Sequence, residues 1–345
     1  MCFLCYNLVT SILRKCYEGG NEMPATITHA YFSKDVFDIL PSNIKNVIDC
    51  SRIKMFGQSM DSLMFYNLFS IYPGKKIRKF CDVFHKEKTQ EYFVNLINYI
   101  KDNNLQNDMD VCSYMAGMIC HYVLDSNIHP YIIYKTGMFD KKKKCTYKYN
   151  HVHEFMETFI DNDMVKRREK SNPYKFRLDQ FCFSDREFSD SLKETIDFSF
   201  KETFDIDNMS EVYYKSLKQM KNALYWFRRD PYGIKKVFYK IVDTFTSKKV
   251  FRFESISYHV SLQDKHNYLN SNHKMWRNPT SYNMTSIESF VDLYVKSIKL
   301  AKVLICASFD YINNKDIELE KIFTNISYVT GLDCNLNKEL KYFEF

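Results

Sequence analysis

The sequence predicts an all-α protein built as a single multi-helix domain. Three observations carry that prediction. Only 8 Gly and 7 Pro punctuate 345 residues, which suits long helices with short connections better than a many-stranded sheet. From Ile27 onward, apolar residues recur at helical spacing. With 45% hydrophobic residues the chain can fill a large core, and no repeat or linker divides it.

The elements follow in order. "HAYFSKDVFDIL" (29–40) is a helix that ends before Pro41. "DSLMFYNLFSIY" (61–72) reads as a second helix, closed by Pro73 and Gly74. In "TQEYFVNLINYIKD" (89–102), Phe93, Leu96, Ile97 and Ile100 form one apolar stripe. "DVCSYMAGMICHYVLDSNIH" (110–129) is the most apolar helix and is expected to stop at Pro130. "HEFMETFIDNDMVKRR" (153–168) follows. Further helices are expected around 186–204, 209–227 and 231–246, the last with Pro231 in its first turn. A long closing helix spans 286–313, with Ser286 as N-cap and Glu288 in its first turn.

Composition excludes several classes. No apolar run reaches the length of a transmembrane helix. Eleven Cys lie without a disulfide framework, which points to free thiols in a reducing, cytoplasmic setting. The net charge of +7 permits an anionic substrate without demanding one. The one basic run, "KKKK" at 141–144, reads as a solvated loop.

Residues 1–22 make a poor signal peptide, because the basic residues follow the apolar ones and no small-residue cleavage site comes after them. "YEGGNEM" precedes Met23, and Glu-Gly-Gly can encode a ribosome-binding sequence of bacterial type. Translation is therefore expected to start at Met23, with 1–22 a non-native or disordered extension.

"CHYVLDSNIHPYI" (120–132) sets His121, Asp125 and His129 four residues apart. On a helix such side chains project from one face, about 6 Å apart along the axis. His121 and Asp125 can reach one metal ion, and His129 a second. "HVHEFMETFID" offers His153 with Glu157 at the same spacing, and a rival register of His151 with Glu154. His29 in "THAYF", Asp61 in "FGQSMDSLMFY" and His85 in "FHKEKTQEYF" complete the set. Each has a plainer reading when taken singly: a hydrogen-bonded core histidine, an N-cap aspartate, a surface ion pair.

In this order His29, Asp61, His85, His121, Asp125, His129, His153 and Glu157 resemble the ligands of the bacterial zinc-dependent phospholipase C family. The resemblance is best over 23–165, and softer around "MWRNPTS" and the closing helix. It implies an all-α fold of the phospholipase C and single-strand nuclease type, with a zinc cluster in a cleft between helices. It assigns Asp61, His85, His121 and Asp125 to one zinc, and His129, His153 and Glu157 to a second. A third zinc would use His29 and a bridging Asp125. Secreted members complete that third site with an N-terminal Trp, which this chain lacks near its start. Two zinc ions are therefore expected. Asp61 is also placed to act as general base.

The implied activity is metal-dependent hydrolysis of a phosphodiester, either a phospholipid or a soluble ester. The alternatives are a zinc-dependent nuclease and a helical protein with a structural metal. Residues 23–313 are read as the all-α metal-binding domain, and 314–345 as a tail packed on it or trailing it.

Overall fold

The computed structural model describes residues 25–68, 70, 72–140, 142–245, 252–259 and 263–344. The expectations for 1–22 lie outside the described residues. The longer helices are α1 (Thr26–Ile39), α2 (Cys50–Phe56), α3 (Lys75–Phe84), α4 (Thr89–Asp102) and α5 (Met109–Thr136). They continue with α6 (Val152–Glu169), α7 (Asp190–Phe204), α8 (Met209–Arg228), α9 (Ile234–Phe245) and α10 (Phe290–Ile312). One two-residue hairpin pair, β1 (Trp276–Arg277) with β2 (Thr285–Ser286), runs antiparallel in the register Trp276 to Ser286. The fold is all-α.

Helix α5 forms the axis of the molecule. It is apolar around its circumference, and residues 110–125 are buried throughout, as expected of a helix surrounded by others. Asp108 caps its start by accepting from the Asp110 and Val111 amides, both at 3.0 Å. α1, α2, α6, α7 and α10 all pack against it. Gly117 lets α2 come close, since a Cβ there would stand 2.5 Å from Phe56 Cβ and 2.9 Å from Gly57 N. That approach lies one turn before His121.

Helix α5 does not stop at Pro130 but continues to Thr136, with Gly137 beyond it at φ +67. An internal proline costs about 3 kcal/mol. Burial of Tyr131, Ile132 and Ile133 offsets it, together with the bond from Tyr131 Oη to the Tyr268 carbonyl at 2.7 Å.

The predicted helix over 61–72 is instead a 3-10 segment, Ser59–Phe65, that gives way to extended backbone at Tyr66. Side chains satisfy the backbone there. Arg78 donates to the Tyr66 carbonyl at 2.9 Å, and Gln219 Oε1 accepts from Asn67 N at 2.8 Å.

The closing helix also starts later than expected. Ser286 is held in β2, and Ser289 caps α10 through a capping box with Asp292. Pro231 lies ahead of α9 rather than in its first turn.

The tail folds back onto the domain. Leu319, Phe323 and Tyr328 are buried, and Lys135 pairs with Glu344. The Tyr328 amide donates to the His85 carbonyl at 2.9 Å. Among the described residues every Cys is free. Residues 142–144 of the lysine run are exposed. No helix among the described residues is long and apolar enough to cross a membrane.

Candidate metal centre

Five segments bring the eight predicted residues together. α1 carries His29, the 3-10 segment carries Asp61, and His85 caps the end of α3. α5 supplies His121, Asp125 and His129 from one face, and α6 supplies His153 and Glu157. All eight are buried or nearly so. His85 and His129 form the open edge, with side chains 12% and 15% exposed.

The donor atoms fall into linked groups. His29, Asp61, His121 and Asp125 form one, and His129, His153 and Glu157 another. His85 Nε2 lies 3.2 Å from His121 Nε2 and 3.3 Å from Asp61 Oδ1. His121 Nε2 lies 3.1 Å from Asp125 Oδ2, and His29 Nε2 lies 3.3 Å from Asp125 Oδ1. In the second group, Glu157 Oε1 is 3.1 Å from His153 Nε2 and 3.7 Å from His129 Nε2. His129 Nδ1 stands 3.6 Å from Asp125 Oδ2, so Asp125 faces both groups. Donors sharing one tetrahedral zinc at about 2.0–2.1 Å stand about 3.3–3.4 Å apart. The observed spacings bracket that value.

Backbone carbonyls orient two of the rings. His121 Nδ1 lies 3.0 Å from the Gly57 carbonyl, and His129 Nδ1 lies 3.2 Å from the Tyr328 carbonyl. Each Nδ1–H donates there, which leaves Nε2 as a lone pair turned into the cluster. A fixed tautomer of this kind is how proteins present histidine to metal. His29 stacks on His121 with ring centroids 4.6 Å apart, and Tyr328 packs on His85 at 5.1 Å.

Electrostatics point the same way. Burial lowers His29 to about 4, against the pull of Asp125, so its imidazole is neutral at neutral pH. Burial raises Asp61 to about 7, with His121 opposing. Burial also pushes Glu157 up, but His153 and His129 overcome it and hold the carboxyl at about 2. His29 Nδ1, Asp125 Oδ2 and Glu157 Oε2 are buried with no hydrogen-bond partner. A buried carboxylate needs a partner, and a divalent cation is one that this donor set fits.

The rival pair stands apart. His151 Nδ1 lies 3.8 Å from Glu154 Oε1 and 3.5 Å from the Arg252 amide. Sequence reasoning missed two residues. Cys81 places Sγ 3.9 Å from Asp61 Oδ1 and 3.7 Å from His85 Nδ1, and its four-residue step to His85 was the available signal. Asp161, one turn beyond Glu157, anchors the start of α1. It accepts from the Thr28 amide at 2.8 Å and from Arg228 and Tyr258 Oη at 3.1 Å.

Fold and cluster together define a class: an all-α protein whose helices converge histidines and carboxylates able to hold divalent metal. The model of the family described as zinc dependent phospholipase C matches residues 28–220, which is more than half of the chain and includes all eight residues. The chain belongs to that family, which is a zinc-dependent hydrolase family. No curated protein and no solved structure matches the chain.

Proposed function

We propose that this protein is a zinc-dependent phosphoesterase that hydrolyses a phosphodiester. The observation that supports this most is the pair of donor groups joined through Asp125. Asp61, His85, His121 and Asp125 would hold one ion, and His129, His153 and Glu157 a second. His29 faces Asp125 from the other side and offers a donor toward a third.

Zinc held there would supply positive charge for phosphoryl oxygens and would acidify water. The protein does the rest. Asp61 takes the proton of the attacking water at a carboxylate oxygen. The Gly57 and Tyr328 carbonyls keep His121 and His129 in one tautomer. Tyr328 and the surrounding core exclude bulk water from all but the His85 and His129 edge, which strengthens every charge interaction inside.

The substrate is a phosphodiester, of which a phospholipid is the family's type. Turnover of a chromogenic choline phosphodiester in zinc, its loss with chelator, and its loss in Asp61→Asn test the reading. Cleavage of single-stranded DNA in place of that ester would assign a nuclease. Tight zinc with no turnover on either would make the metal structural.

A further inference from the structure

Helix α9 has two apolar faces. Its inner face packs Tyr239 and Val242 against the turn at Phe253–Ile256, with Tyr239 and Phe253 ring centroids 5.5 Å apart. Asp243, the only acid of α9, also turns inward and accepts from the Phe253 and Glu254 amides at 3.0 and 2.8 Å. The outer face carries Ile234, Val237, Phe238, Ile241 and Phe245, which are 70%, 60%, 45%, 49% and 85% exposed. At about 100° per residue these five fall in one stripe about 100° wide. Trp226, near the end of α8, and Tyr232, two residues before α9, are also exposed, at 67% and 87%. A contiguous apolar surface of this kind marks an interaction site.

Positive charge flanks the stripe. Lys240 is exposed about 60° beyond one edge of it, and Lys236 is exposed next to Lys240 on the same flank. Lys236 also joins Lys148, Lys265 and His266 around a cavity of about 610 Å³. Among the described residues Glu254 is the one acid on its wall, and Val152, Phe155 and Phe159 of α6 are among its apolar lining.

We propose that α9 docks this protein onto an anionic lipid bilayer, with the lysine-rimmed cavity beside it receiving lipid phosphate. An apolar stripe bordered by lysines lies in the plane of a bilayer, its apolar side chains among the acyl chains and its cations among the headgroups. Trp226 and Tyr232 suit the headgroup level, where amphipathic rings concentrate. A second copy of the chain is a poorer occupant, because it would bring Lys236 and Lys240 against like charges. α9 lies beyond the residues matched by the family model, and none of its side chains enters the metal cluster. The docking surface therefore goes beyond the hydrolase reading.

The test is flotation of the full chain with vesicles of phosphatidylcholine alone and of phosphatidylcholine with phosphatidylglycerol. The wild type is expected to float with the anionic vesicles, and less as salt rises. Val237→Ser/Ile241→Ser/Phe245→Ser is expected to weaken binding by at least about tenfold. Lys236→Glu/Lys240→Glu is expected to remove the preference for anionic vesicles. Zinc content stays that of the wild type in both variants, which separates this proposal from the metal reading. Failure of the wild type to float with anionic vesicles overturns it, as does equal flotation of the serine variant. A dimer that the serine variant dissolves would give the face to a second copy, and binding that appears only after deletion of 1–22 would give it to that segment. Either result overturns the proposal.

Discussion

His85 Nε2 and His121 Nε2 face each other at 3.2 Å inside a buried pocket that also holds Asp61 and Asp125. Two imidazole nitrogens at that distance need a proton or a cation between them, because two bare lone pairs repel. With a cation each becomes a ligand, and the two carboxylates gain the partner that their burial requires. Under the proposed reading, metal binding is coupled to the stability of the fold. Zinc at a thousand times its dissociation constant is expected to stabilise the protein by about 4 kcal/mol, and chelator to remove that gain. Thermal unfolding with and without zinc measures it, and identical melting curves would contradict it.

Gly117 is the contact through which α2 positions Gly57 against His121. Gly117→Ala is expected to destabilise the protein by about 1–3 kcal/mol through overpacking. It should also weaken zinc binding by about tenfold to a hundredfold, because the Gly57 carbonyl moves away from His121 Nδ1. Urea unfolding and a competitive zinc titration report the two effects separately.

Asp161 and Arg228 form a fully buried ion pair at 3.1 Å that ties α6 and α8 to the start of α1. Asp161→Ala leaves Arg228 buried without its carboxylate, at a cost of about 3–5 kcal/mol. Arg228→Met in the same chain is expected to recover part of that loss, which a double-mutant cycle detects. Additive losses would mean that the two side chains do not act as a pair.

How far the site was legible depended on which part of it lies within one helix. His121, Asp125 and His129 repeat every four residues, as do His153 and Glu157, so the helical period alone put each set on one face. His29, Asp61 and His85 come from separate segments, and only the resemblance of their motifs joined them to the rest. Pro130 misled, because the burial of Tyr131 to Ile133 that carries α5 past it is tertiary. The predicted helix over 61–72 misled for a similar reason, since the side chains that hold the backbone of Tyr66 and Asn67 belong to Arg78 and Gln219, outside that stretch. The carbonyls of Gly57 and Tyr328 have no side-chain signature at all. Their role appears only once α2 and the tail are in place.

The tail depends on Gly331, at φ +64, where a Cβ would stand 2.6 Å from the Ser126 carbonyl. Gly331→Ala is expected to lift this segment from α5 and release His129 from the Tyr328 carbonyl. Under the proposed reading, a zinc ion bound by His129, His153 and Glu157 would then exchange faster, while one bound with His121 would be retained. Chelator-release kinetics would show one fast and one unchanged phase, and two unchanged phases would contradict the account.

The most direct test is the metal content of the chain purified without chelator, measured by elemental mass spectrometry beside His121→Ala and His153→Ala. We expect about two or more zinc per wild-type chain, with zinc lost in each variant. No bound metal in the wild type, even after zinc is added, would mean that His121, Asp125 and His129 are buried polar residues and no more, and the phosphoesterase reading would lose its mechanism.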